Sequence, residues 1–188
     1  MNAIPTLSFF EKLYLPGSVP CTLEEIIILI RTRRWEAVIT AYRASLAAGD
    51  KEGARKQKGQ LPGFTPSGMF QGGHRANQLE QYSGIVGLDF DHVANPKGLA
   101  ALFRQQACTL ALFVSPGGEG LKVFVRVDTP REAHAAAFAA VAARYEQLAG
   151  IFCDRACKDI SRCCYVSNDP EAYYNPEAEV FTPASVLP

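Results

Sequence analysis

The chain has no apolar stretch that approaches a membrane span: runs such as Ile26–Ile30 fall far short of the roughly 20 residues required. Its N-terminus lacks the basic start and apolar core of a secretory signal. A cytoplasmic protein with no membrane partner is therefore expected. Net charge is also lacking, with 19 basic against 19 acidic residues. Nor do the six cysteines, at 21, 108, 153, 157, 163 and 164, form a disulfide scaffold in a chain of 188 residues. The last four cluster, but their C-x3-C-x5-C-C spacing is not a standard zinc pattern, and adjacent cysteines seldom point at one ion. Free cysteine commonly behaves as a small buried hydrophobe, so no structural zinc is expected.

What is present fits one well-filled domain with room for a small appendage. Hydrophobic residues make up 48% and charged residues 20%, which places the chain with globular rather than disordered proteins. The charge balance is uneven. Residues 31–58 hold eight basic against three acidic side chains, which suits a phosphate-bearing partner or, more blandly, a solvated helical face.

From Leu23 to about Ala48 the apolar residues recur at helical spacing, Leu23, Ile26, Ile27 and Ile30 followed by Trp35, Val38, Ile39, Tyr42 and Leu46. Thr22 and Glu25 resemble a capping box, Arg31–Arg34 a break between helices, and Gly49–Asp50 a stop. "KGQLPGFTPSGMFQGGHR" reads as an extended, turn-filled segment. Beyond it come a strand at Ile85–Phe90, a helix at Pro96–Gln106, strands at Thr109–Ser115 and Leu121–Val127, a helix at Arg131–Leu148, and short extended pieces. The class expected is α/β or α+β, with a mainly helical segment over 1–60 and one compact unit over 61–188.

"SGIVGLDFDHV" runs an apolar strand into two aspartates. On a strand, Asp89 and Asp91 share a face with Cα atoms roughly 6.6 Å apart. Like charges so placed repel unless a cation lies between them or one carboxyl stays protonated, and hard oxygen ligands select Mg²⁺ or Mn²⁺. The alternative is that both aspartates are solvated in the following loop. "LFVSPGGEGLKVFVRV" reads as strand, glycine turn, strand. Gly117, Gly118 and Gly120 allow positive φ and close backbone approach to an anion, with Lys122 adding a cation, or else they serve a plain hairpin. "CDRACKDISRCC" carries Asp154, Lys158, Asp159 and Arg162, a source for a third carboxylate.

In this order the motifs resemble the archaeo-eukaryotic primase (primase-polymerase) superfamily. More narrowly, "LPGFTPSGMF", "YSGIVGLDFDHV", "SPGGEGLKVFVRV" and "KDISRCCYVSNDPEAYYNP" look like the bacterial VirE N-terminal domain, a primase-polymerase relative often joined to a helicase. The resemblance, over Lys58–Pro176, implies an RRM-like antiparallel or mixed catalytic sheet flanked by helices, beside a smaller helical or α+β N-terminal part. It implies metal-dependent nucleotidyl transfer from nucleoside triphosphates on a single-stranded DNA or RNA template, in replication or mobile-element maintenance. Asp89, Asp91 and Asp154 would bind two Mg²⁺ or Mn²⁺ ions and carry catalysis, with Asp159 a rival for the third place. Ser115, Gly117, Gly118, Gly120, Lys122 and Arg162 would bind nucleotide. No organic cofactor is implied. Lys122 departs from the histidine common at its position in such enzymes. The end at Pro188 leaves no room for a helicase, which would then be lost by truncation or supplied by a separate chain.

Lys56, Lys58, Arg75 and Arg126 are candidates for template contacts. Two other functions compete. "LDFDHV" also fits the D-x-D-x-V nucleophile loop of haloacid-dehalogenase-type phosphatases, with Asp89 as nucleophile. Against this, some eighty residues precede the motif, and the interval from Asp89 to Asp159 is short for parallel crossovers. A catalytically inactive nucleic-acid-binding module would instead use the basic block and stack bases on Phe64, Phe70 or Tyr82, although such aromatics are more often core.

Overall fold

A computed structural model describes residues 5–15 and 17–182; the outer ends of the two expected segments, 1–4 and 183–188, lie outside it. The first strand, β1 (Thr6–Phe10), is followed by β2 (Val19–Thr22) and three helices, α1 (Leu23–Arg31), α2 (Glu36–Ala47) and α3 (Lys51–Lys58). The capping box forms: the Thr22 hydroxyl accepts from the Glu25 amide, and the Glu25 carboxylate accepts from the Thr22 amide. The break between α1 and α2 falls at Arg33, held at φ 59°. Asp50 starts α3 by accepting from the Gly53 amide at 2.9 Å.

Short strands β3 (Gly63–Thr65), β4 (Gly68–Phe70) and β5 (Leu79–Tyr82) come next. After them lie β6 (Ile85–Phe90), α4 (Pro96–Arg104), β7 (Thr109–Val114), β8 (Leu121–Arg126) and α5 (His134–Ala149). Two-residue strands β9 (Cys164–Tyr165) and β10 (Tyr173–Tyr174) close the described chain. The class is α+β.

Two four-stranded sheets, both antiparallel, organise the molecule, in the orders β2-β1-β3-β9 and β10-β7-β8-β6. Strands β4 and β5 pair separately. In the second sheet β8 lies between β6 and β7, which makes β6–α4–β7 a split β-α-β unit. Period-2 alternation divides this sheet into two faces. Val86, Leu88, Phe90, Val123 and Val125 pack with α4 and α5 in one core. Ile85 and Phe124 turn to the other, with Leu7, Ile27 and Phe64. Asp89 and Lys122 share the parity of Ile85 and Phe124, so both project from that second face. Among the described residues no helix is long and apolar enough to cross a membrane.

Candidate functional site

Along the outward face of β6, Ile85 is core, Gly87 leaves a gap and Asp89 follows at the strand end. A Cβ on Gly87 would press on Pro66 and Phe124 at 3.3–3.4 Å, so the gap keeps the floor open. Directly across the ladder from Asp89 stands Lys122. The Lys122 ammonium binds Asp89 Oδ2, while Asp89 Oδ1 is buried with no hydrogen-bond partner. This strand end thus carries a carboxylate that is half satisfied, at a residue only 8% exposed.

Burial pushes the Asp89 carboxyl up from its ordinary range; Lys122 opposes the shift and the nearby Asp91 and Asp154 add to it. Burial works against the charge of Lys122 too, but the Cys164 thiol, Asp89 and Asp91 outweigh it and hold its pKa above the usual lysine value. The lysine remains a cation in the floor of the site.

Above this pair opens a cleft of about 980 Å³. The glycine turn forms one wall, through Ser115, Gly117 and Gly120; Tyr42, Arg43 and Leu46 of α2 form another. The segment from Cys157 to Tyr165 forms a third, and Lys58, at the end of α3, reaches in over the Tyr165 ring, 5.3 Å from its centroid. Burial, then the charge of Lys122, lowers the pKa of Lys58.

The turn is tightly built. The Ser115 amide donates to Gly120 O at 2.8 Å, and the Gly118 amide to Ser115 O at 2.9 Å. Of the three glycines expected to use positive φ, only Gly118 does, at 88°. Gly120 is needed for space instead: a Cβ there would lie 2.8 Å from the carbonyl oxygen of Phe90 and 2.9 Å from the Ser115 hydroxyl. Gly118 faces away from the main cleft, toward a smaller one that it lines with Arg33, Arg43 and Asp169. Arg43 bridges the two, donating from Nε to Pro116 O at 2.9 Å.

After α5 the chain returns to the outer edge of β6, where the Asp154 amide donates to Asp89 O at 2.8 Å. Asp154 opens a 3₁₀ turn over Arg155–Lys158 by accepting from the Ala156 amide at 2.9 Å, and Arg162 donates to its Oδ2 at 2.8 Å. Ligand atoms of Asp89, Asp154 and Cys157 all lie within 4.8 Å of one another. Asp91, exposed just beyond β6, lines the cleft but falls outside that group. Asp159 lines the cleft as well, its Oδ1 held by the amide and hydroxyl of Ser161 at 2.9 and 2.8 Å.

The structure therefore gathers Asp89, Asp91, Ser115, Gly117, Gly120, Lys122, Arg162 and Lys58 at one cleft, with Asp154 beside it. It does not bring in four others. Lys56 and Arg75 are exposed outside the lining, and Arg126 stands opposite Ile85, four residues along β8 from Lys122. Gly118 is the fourth. Phe64 and Phe70 are buried and offer no free stacking face; Tyr82 is half-buried, its hydroxyl 3.0 Å from His134 Nδ1. Sequence reasoning missed Tyr42, Arg43 and Cys157. The first two carry only a helical signal. Cys157 had one readable cue, its D-x-x-C spacing from Asp154.

The class this defines is an α+β protein with a carboxylate–lysine pair at the floor of a glycine-walled cleft. A family profile described as BT4734-like, N-terminal domain matches residues 56–174, more than half of the chain, and the chain belongs to that family. Every site residue expected from the sequence lies within the match, whereas Tyr42 and Arg43 precede it. No curated protein and no solved structure matches the chain.

Proposed function

We propose that the protein is a primase-polymerase-like nucleotidyltransferase domain, which binds nucleoside triphosphates in the cleft and acts on a single-stranded nucleic acid. One observation carries this reading: Asp89, with one buried oxygen lacking a partner, lies where the glycine turn, Lys122 and the Asp154–Arg162 segment converge. The split β6–α4–β7 unit, with β8 between its strands and α5 following, supports an RRM-like core, whereas β10 pairs with β7 rather than with β6, the strand an RRM-like order would extend.

The donor set fits a divalent cation, because a buried carboxylate oxygen without a hydrogen bond is costly unless something positive meets it. Asp89, Asp154 and the cleft-facing Asp91 would hold Mg²⁺ or Mn²⁺. Bound there, such ions supply Lewis-acid activation of a 3′-hydroxyl and charge to oppose a leaving pyrophosphate. The protein's own part is binding and orientation. Lys122, anchored by Asp89, offers its ammonium to a phosphate, and Lys58 and Arg162 add charge at the rim. Ser115 and the turn supply polar groups from backbone braced by its own hydrogen bonds, which lowers the cost of ordering the site. Replication or mobile-element maintenance, with a helicase as partner, is the biological setting this reading carries.

Against the phosphatase alternative stands the pairing of β6, β7, β8 and β10, antiparallel throughout, where that enzyme class needs parallel crossovers. The Lys122–Asp89 ion pair favours one second reading, nucleotide or nucleic-acid binding without synthesis, since the lysine already neutralises the carboxylate. Primer extension with labelled nucleotides and Mg²⁺ or Mn²⁺ decides. The wild type is expected to extend, and Asp89→Ala and Asp91→Ala to lose at least about a hundredfold in rate, Asp91→Ala while melting like the wild type and Asp89→Ala while still folding, at a lower midpoint because Lys122 loses its partner. Binding without any extension by the wild type would leave the second reading standing.

A further inference from the structure

Resting on the cation-binding reading of the cleft, we propose that Cys157 is itself a ligand of the bound ion and that the site selects Zn²⁺ or Co²⁺ over Mg²⁺. Asp154 and Cys157 are three residues apart on a 3₁₀ turn, and residues at i and i+3 of such a turn eclipse one another. The turn is closed by the Cys157 amide donating to Asp154 O at 3.2 Å, and it is fixed to the sheet by the Asp154 amide on Asp89 O. Both side chains consequently face Asp89, with ligand atoms of all three within 4.8 Å of each other. A two-residue interval is also the spacing by which short chelate loops hold zinc.

A second, separate observation marks the place as made for a ligand: Asp89 is 8% exposed and its Oδ1 has no hydrogen-bond partner. Two carboxylate oxygens and one sulfur make a three-ligand set. Asp89 and Cys157 both line the cleft, so a fourth position would open toward substrate, the arrangement of catalytic rather than structural zinc sites. A hard, octahedral, oxygen-seeking ion such as Mg²⁺ gains little from sulfur, whereas borderline ions gain much. Binding releases the thiol proton to solvent.

The test is Co²⁺ titration of the full chain, following the near-ultraviolet thiolate-to-cobalt charge-transfer band, beside Mn²⁺ binding followed by electron paramagnetic resonance. The wild type should show the band and Cys163→Ser should keep it. Cys157→Ser should lose it and weaken Co²⁺ and Zn²⁺ binding at least about tenfold. Cys157→Asp should restore binding without the band and improve affinity for Mg²⁺. A band that survives in Cys157→Ser, or Mn²⁺ binding by a wild type that shows no band, overturns the role of Cys157 and leaves the nucleotidyltransferase reading intact. Failure of the wild type to bind either ion overturns both.

Discussion

His134 links stability to pH at the scale of single residues. It opens α5 and is only 3% exposed, with Tyr82 Oη 3.0 Å from Nδ1 and Ser67 Oγ 3.4 Å from Nε2. Burial lowers its pKa from 6.5 to about 4. Between those two values the unfolded chain takes up a proton that the folded chain refuses, so the stability from this group is complete above pH 6.5 and drains away as pH falls toward 4. The difference amounts to roughly 3 kcal/mol. Urea midpoints measured across this window should fall more steeply for the wild type than for His134→Gln. The site's own residues were unequally legible. Asp89 and Lys122 announced themselves because charge at the end of an apolar strand demands a reason. Cys157 did not, because its ligand geometry depends on a turn docking against a strand far away in sequence.

The glycine turn shows what an element adds to its residues. Gly120 approaches the Phe90 carbonyl so closely that a Cβ would sit 2.8 Å from it, and that oxygen belongs to the strand carrying Asp89. Gly120→Ala should therefore cost about 1–3 kcal/mol and weaken ligand binding in the cleft. Gly117→Ala meets only the tip of Leu46 at 3.6 Å and should stay within about 0.5 kcal/mol of the wild type. Chemical denaturation of the two variants side by side checks the contrast. Strands β6, β7 and β8 were readable almost to the residue, since each is a run of apolar and β-branched side chains bounded by turn formers. Helix α3 was not. It buries only Ala54 and has no apolar stripe to read, and it depends on the Asp50 cap and contact with α2.

At the scale of the molecule, the segment that precedes the family match is woven into the matched region. β1 pairs with β3, and Leu7, Ile26 and Ile27 share a core with Phe64, Phe113 and Phe124. From sequence alone a boundary near residue 60 is expected, because local periodicity changes there; partners in a sheet leave no such local trace. Ile27→Ala should lower stability by about 2–5 kcal/mol, in a single transition seen alike by far-ultraviolet dichroism and tryptophan fluorescence. A fragment spanning residues 56–174 should show no cooperative melt. The late strands extend the same logic. β9 closes the edge of β3, and β10, eight residues on, closes the edge of β7, so one short passage of chain stitches both sheets. On the ribosome, that passage emerges after the strands whose edges it covers. Until it does, both open edges remain exposed to neighbouring nascent chains, and the order of synthesis becomes part of how the protein avoids aggregation.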